Sequence, residues 1–146
     1  MDGALSLLAD GLRGKGVQLQ IETPHQQRSV SGHQDQLEQV LINLMINARD
    51  ALLAHREQQQ ELQPWIALRM EADEHQVRLL VEDNGGGIEP RLLERIFEPF
   101  FTTKPVGVGT GLGLSVSYGI IEAMGGCLSV DNGADGAIFC IELPST

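Results

Sequence analysis

The chain has 146 residues, 42% of them hydrophobic, and carries a formal net charge of −10. A chain of this length buries most of its apolar surface in one core and is short for two, so we expect a single domain over residues 1–146. The 20 acidic residues outnumber the 10 basic ones. No basic patch is therefore expected, which argues against direct binding to nucleic acid or to a membrane surface.

The sequence also bears on compartment and on cysteine chemistry. The least polar stretch, 109–126, is interrupted by glycines, serines and a glutamate, so it cannot cross a bilayer, and no signal-peptide pattern opens the chain. Cys127 and Cys140 lie in apolar runs without a histidine or second cysteine at metal-ligand spacing. We expect a cytoplasmic domain in which both cysteines are small, buried and reduced.

Two short elements are predicted at the start of the chain. Leucines at helical spacing up to Arg13, followed by Gly14 and Gly16, predict a short helix. Apolar and polar residues then alternate over 17–21, which predicts a half-buried strand that ends at Pro24.

A long central helix is predicted from His33 to about Glu57, where neither glycine nor proline occurs. Its main apolar stripe consists of Leu37, Leu41, Leu44, Ala48 and Ala51. A polar seam separates this stripe from a second apolar one and consists of Gln36, Asn43, Asn47 and Asp50. Asparagines one turn apart present amide oxygens to one small volume, a geometry suited to Mg²⁺. The alternative is that these amides cap a neighbouring loop.

The second half of the chain contains two strand pairs and a helix. The first pair, 65–72 and 76–82, has the pattern of adjacent antiparallel strands. A helix over 111–124 follows, and 127–130 and 137–143 form a hairpin across an Asn-Gly turn. This order predicts a mixed sheet covered by helices on one face.

Residues 81–88, Val-Glu-Asp-Asn-Gly-Gly-Gly-Ile, place an acidic residue at a strand end before three glycines. Asp83 can accept a hydrogen bond from an exocyclic amine there, while the glycines let a planar ring approach the backbone. An ordinary Asp-Asn-Gly turn is an equally good interpretation of this segment alone.

Residues 96–104, Ile-Phe-Glu-Pro-Phe-Phe-Thr-Thr-Lys, run from aromatic side chains into hydroxyls and a lysine. The phenylalanines would anchor one end of a mobile loop and leave Thr102, Thr103 and Lys104 to close on phosphate. A hydrophobic surface turn with an incidental charge is the alternative.

Residues 107–114, Gly-Val-Gly-Thr-Gly-Leu-Gly-Leu, open the second predicted helix. Successive N–H groups at the positive end of a helix dipole favour an anion. The segment lacks both the dinucleotide fingerprint and the Gly-Lys-Ser/Thr ending of a Walker loop.

In this order, the four motifs resemble those of sensor histidine kinase catalytic domains in the GHKL superfamily. LEQVLINLMINARDAL (37–52) is similar to their N box, and VEDNGGGI (81–88) to their first glycine box. IFEPFFTTK (96–104) is similar to their F box, and GTGLGLSVSYGIIEAMGG (109–126) to their second glycine box. The resemblance spans essentially the whole chain. It implies the Bergerat ATP-binding fold, an α/β two-layer sandwich with a mixed, mostly antiparallel sheet, shared with gyrase, the MutL proteins and the heat-shock ATPase chaperones.

The resemblance also implies roles for individual residues. Asp83 would bind the adenine amine, and Asn47 would coordinate Mg²⁺ with Asn43 assisting at the metal and phosphates. Lys104 would join these asparagines as a catalytic residue. The other ATP-binding positions would be Asp50, Gly85, Gly87, Ile88, Thr102, Thr103, Gly109, Thr110, Gly111, Leu112 and Gly113.

The function implied is transfer of the γ-phosphoryl group of Mg-ATP to a histidine on a separate dimerisation domain, and so indirectly to a response regulator. None of the four histidines of this chain has the sequence neighbourhood of an acceptor. The isolated domain is expected to be a monomer, whether or not the parent kinase is membrane-anchored.

Three positions separate this chain from other members of the family. Asp50 and Ala51 stand where many members have a basic and an aromatic residue, a pattern closer to the nitrogen-regulation and oxygen-sensing kinases. Ala137 stands where a threonine hydroxyl commonly joins the adenine water network.

Three alternative functions remain open: an anti-sigma-factor-type serine kinase, a GHKL ATPase and a nucleotide-sensing module without catalysis. Hydrolytic members and those serine kinases have a glutamate as base at the position of Asn43, and an amide cannot accept that proton. Histidine is already nucleophilic near neutral pH, so position 43 favours the histidine kinase.

Overall fold

The computed structural model describes residues 10–22, 34–58, 61, 63–98, 113–133 and 136–144. Residues 10–14 are helical, as predicted, and 1–9 lie outside the described part. The remaining elements are β1 (Gln18–Glu22), α1 (Gln34–Gln58), β2 (Trp65–Ala72), β3 (Gln76–Asp83), a 3-10 turn (Pro90–Leu92), α2 (Gly113–Ala123), β4 (Cys127–Asn132) and β5 (Ala137–Pro144).

The five strands form one sheet in the order β1-β2-β3-β5-β4. β1 pairs with β2 in parallel, and the other three pairs are antiparallel. In the centre, Leu79 of β3 lies opposite Met70 of β2 and Ile141 of β5. The predicted mixed, mostly antiparallel sheet is confirmed.

Both helices pack on one face of the sheet and against each other. Alternate residues of β3 and β5 point to that face, so Val77, Leu79, Val81 and Asp83 are buried together with Ala137, Phe139, Ile141 and Leu143. The predicted stripe of α1 is buried at Leu37, Leu41, Leu44 and Ala48. Ala51 is exposed instead, because it lines a cleft described below.

The prediction that both cysteines are buried is wrong. Cys127 is exposed and Cys140 is half-buried. The inward positions of β5 have odd numbers, so Cys140 faces the side of the sheet away from the helices. Cys127 begins the edge strand β4. Partial burial raises the pKa of the Cys140 thiol above its ordinary value.

No helix in the described part of the chain combines the length and the apolar character that crossing a bilayer requires.

Candidate functional site

A buried carboxylate ends the central strand β3. The pleat that turns Val81 into the core also turns Asp83 inward, and Asp83 is only 2% exposed. Its Oδ1 accepts a hydrogen bond from the Gly85 N–H at 2.8 Å. Burial raises the pKa of Asp83, and backbone hydrogen bonds from Gly85 and Ala137 oppose that rise. Among the described residues no arginine or lysine forms an ion pair with it.

Asp83 lines a cleft of about 40 Å³ between α1 and the ends of β3 and β5. The cleft brings together four predicted site residues, Asn47, Asp83, Gly87 and Ile88, and is completed by Ala48, Ala51, Ala137 and Phe139. Apolar walls around a few polar groups are typical of sites that bind small organic ligands.

The loop after β3 needs its glycines for two reasons. Gly86 and Gly87 have φ values of 89° and 82°, a region that other L-residues rarely adopt. A Cβ at Gly87 would also lie 2.8 Å from Oδ1 of Asn132, and one at Gly86 would lie 3.0 Å from the ring of His55. The protein's own side chains therefore lie close to both glycines, and Gly87 also lines the cleft. Approach of a planar ring to this backbone stays a prediction.

The two asparagines of α1 have different surroundings. Asn43 donates from Nδ2 to Oγ of Ser117 at 3.1 Å and to the Gly113 carbonyl at 3.5 Å, and its Oδ1 accepts from Gln39. Asn47 lines the cleft, and its amide makes no hydrogen bond to another residue in the described part of the chain. Asn43 thus links α1 to the start of α2, whereas the amide of Asn47 is available to a ligand.

The aromatic motif is anchored as predicted at Phe97. Its ring lies 5.3 Å from that of Tyr118 on α2 and meets Phe139 of β5 edge-on at 6.4 Å, measured between ring centroids. Ile96 beside it is buried. These contacts hold the turn region that follows the 3-10 turn against α2 and β5.

Other predicted site residues lie away from the cleft or outside the described residues. Asp50 is half-buried and pairs with Arg49 at 3.1 Å, and it does not line the cleft. Gly113 is the first residue of α2, and Gly85 lies against Asp83. The predicted positions outside the described residues are Thr102, Thr103, Lys104, Gly109, Thr110, Gly111 and Leu112.

Three residues that shape the site were missed by the sequence interpretation. A Cβ at Gly136 would collide with the Asp83 carbonyl oxygen and lie 2.8 Å from its Oδ1, so only glycine fits there. Asn132 was interpreted only as a turn residue, yet its side chain bonds the backbone of Ile88. Ser117 is fully buried and bonded to Asn43. The only local feature of the sequence that could have pointed to Ser117 is that it is a serine among apolar residues of a helix.

The described residues contain no group of three or more histidine, cysteine, aspartate or glutamate side chains placed to hold a metal ion. Mg²⁺ at nucleotide sites is commonly held by one or two side chains together with substrate phosphates and water.

Comparison with known proteins gives consistent matches over most of the chain. A family model described as histidine kinase-, DNA gyrase B-, and HSP90-like ATPase matches residues 32–146. The two-component sensor PprA of Pseudomonas aeruginosa is 51% identical over 150 residues, covering 98% of this chain and 15% of PprA. The sensor kinase CckA of Brucella abortus is 41% identical over 148 residues, covering 96% of this chain and 16% of CckA. The chain thus spans a small part of the length of these relatives.

The fold is similar to that of solved histidine kinase structures. The nucleotide-free catalytic domain of ThkA is 34% identical with a TM-score of 0.81, covering 97% of this chain and 88% of that one. ThkA in complex with the response regulator protein TrrA is 31% identical with a TM-score of 0.75, and the match covers 97% of this chain and 38% of that one.

Proposed function

The chain belongs to the histidine kinase-, DNA gyrase B- and HSP90-like ATPase family, and we propose that it is the catalytic domain of a sensor histidine kinase. In this proposal it binds Mg-ATP and transfers the γ-phosphoryl group to a histidine on a separate domain of a longer chain. The two-component sensor PprA and the sensor kinase CckA, of which it matches a small part, support that assignment.

The observation that carries the proposal is the buried carboxylate of Asp83 in the cleft. An uncompensated buried carboxylate is unfavourable unless a donor reaches it, and its protein donors here are backbone N–H groups. The exocyclic amine of adenine is a neutral donor of the right kind, and the apolar side chain of Ile88 beside Gly87 suits a flat ring. The residues present therefore fit an adenine nucleotide.

Asn47 is better placed than Asn43 to be a ligand of Mg²⁺. The amide oxygen of Asn47 is available at the cleft, whereas both ends of the Asn43 amide are engaged with Gln39 and α2. When bound, Mg²⁺ would offset the charge of the phosphates during transfer. Asn43 would orient the start of α2 relative to Asn47, and the unobserved roles of Thr102, Thr103 and Lys104 at the phosphates stay predictions.

Transfer to a histidine rather than hydrolysis is supported by the absence of a base at position 43. Asn43 cannot take a proton from water, and a neutral histidine acceptor needs no such base. We propose that the acceptor lies on the dimerisation domain of the parent kinase and that a response regulator acts downstream, as the complex of ThkA with TrrA suggests for that kinase. A cytoplasmic site, where ATP is supplied, is part of this proposal.

Base discrimination tests the proposed ligand. Guanine carries an oxo group where adenine has its amine. The oxo oxygen and the Asp83 carboxylate are both hydrogen-bond acceptors, so they would repel each other. We expect ADP to bind at least about tenfold more tightly than GDP in calorimetric titrations with Mg²⁺. Equal affinity for the two nucleotides would contradict the assignment of Asp83 to base recognition.

A further inference from the structure

The loop from Asn84 to Ile88 is held at both ends by asparagine side chains. At its start, Oδ1 of Asn84 accepts the Trp65 N–H at 2.8 Å and its Nδ2 donates to the Gln63 carbonyl at 2.9 Å. At its end, Oδ1 of Asn132 accepts the Ile88 N–H at 2.8 Å and its Nδ2 donates to the Ile88 carbonyl at 2.7 Å. The loop is therefore tied to two different parts of the sheet.

The contact between Asn132 and Ile88 uses both halves of one amide. A carboxamide has one acceptor oxygen and a donor nitrogen, like a peptide group, so Asn132 pairs with the Ile88 backbone as a neighbouring strand would. The two residues are 44 positions apart in the chain. Asn132 ends the edge strand β4, and its side chain adds one more pairing beyond that strand's end.

Gly87 makes this pairing possible. A side chain at Gly87 would meet Oδ1 of Asn132 at 2.8 Å, closer than real Cβ contacts come. Gly87 also lines the cleft, directly before the residue whose backbone is paired. Asn132 therefore contacts both residues that this loop contributes to the wall of the cleft.

The same hairpin end contacts the other side of the cleft. The Gly133 N–H donates to the Gly136 carbonyl at 2.7 Å, which closes the end of the hairpin. Gly136 in turn packs against the Asp83 backbone. One structural unit thus contacts both Asp83 and Ile88, which line the same cleft.

We propose that Asn132 is a positioning residue for nucleotide binding. It touches no nucleotide in this proposal and acts through Gly87 and Ile88, which it holds at a fixed distance from Asp83. The role rests on the proposed function, because it is defined by the affinity for adenine nucleotides. The ligand concerned is the adenosine portion, since the loop lines the cleft on the Asp83 side.

The test compares Asn132→Ala and Asn132→Asp with Ser129→Ala, an exposed position of the same strand. Asn132→Ala removes both bonds, and Asn132→Asp keeps the acceptor but turns an oxygen toward the Ile88 carbonyl. We expect both variants to weaken adenosine and ADP binding by about three- to tenfold in calorimetry. Hydrogen exchange at the Ile88 amide should accelerate locally in Asn132→Ala, which lacks the acceptor of that N–H. Ser129→Ala should change neither quantity.

Each contrary result has a distinct meaning. Unchanged Ile88 exchange in Asn132→Ala would overturn the pairing, and faster exchange with unchanged affinity would overturn the positioning role. A general acceleration across β4 and β5 with a lower unfolding midpoint would show a structural role instead. If the wild-type chain bound neither adenosine nor ADP, the proposed function itself would fail, and that result does not depend on Asn132.

Discussion

Replacing Asp83 with asparagine is expected to lower ADP affinity more than tenfold without unfolding the domain. A hydrogen bond to a charged acceptor contributes about 1.5–3 kcal/mol, and the variant loses that charge. The asparagine keeps an oxygen for the Gly85 N–H and carries no charge to desolvate, so we expect its unfolding midpoint within about 4 °C of wild type. Calorimetry and thermal unfolding measure the two effects separately.

Asp73 provides a matched control at the opposite end of β3. It also accepts two backbone hydrogen bonds, from His75 and Gln76, but it is exposed and distant from the cleft. Asp73→Asn makes the same chemical change and should leave ADP affinity unchanged. If both variants bound ADP like wild type, Asp83 would not be the base-binding carboxylate.

The raised pKa of Asp83 predicts opposite effects of pH on stability and on binding. Between the ordinary aspartate pKa of 3.8 and the raised pKa of the folded state, the folded chain binds more protons than the unfolded one. Through that window, the contribution of Asp83 to the free energy of unfolding falls as pH rises. ADP affinity should rise there, because the amine needs the ionised carboxylate. Asp83→Asn should lack both dependences when measured against wild type.

Replacing Asn47 with alanine is expected to reduce phosphoryl transfer about 100-fold or more while leaving adenosine binding intact. Asn47 lines the cleft and is the metal ligand in the proposed function, and charge neutralisation at the phosphates matters most in the transition state. Adenosine has no phosphates, so its affinity should not change. Transfer is measured as label from γ-labelled ATP on the dimerisation domain of the parent kinase.

Gln36→Ala is the control for Asn47→Ala, since Gln36 is an exposed polar residue of the same helix. Its transfer rate should match wild type. A wild-type rate in Asn47→Ala would place the metal elsewhere, and a parallel loss of adenosine binding would mean that the substitution distorts the cleft.

The fold was predictable because local patterns and tertiary structure agree along most of the chain. The absence of glycine and proline in α1 and the strand pattern of β3 gave their bounds to within a residue or two. Ala51 and the two cysteines show the limit of such patterns. Their hydrophobicity is compatible with burial, but the helix packing and the strand phase that leave them exposed or half-buried depend on neighbours distant in sequence.

The cleft was predictable where a motif carries its own chemistry, as at Asp83 and Asn47. Residues that act on those motifs from elsewhere were not predictable. Asn132 and Gly136 look like ordinary turn residues, and their importance lies in contacts with Ile88 and Asp83 more than 40 positions away. No periodicity or spacing in the sequence records such a contact.

Phosphoryl transfer between two separate proteins tests the central claim most directly. The chain is incubated with γ-labelled Mg-ATP, alone and with the histidine-bearing dimerisation domain of the parent kinase, and the products are treated with acid and alkali. We predict acid-labile, alkali-stable label on the added domain only, with slow phosphate release from the chain alone. Stoichiometric label on the chain itself, or rapid phosphate release without transfer, would contradict the account.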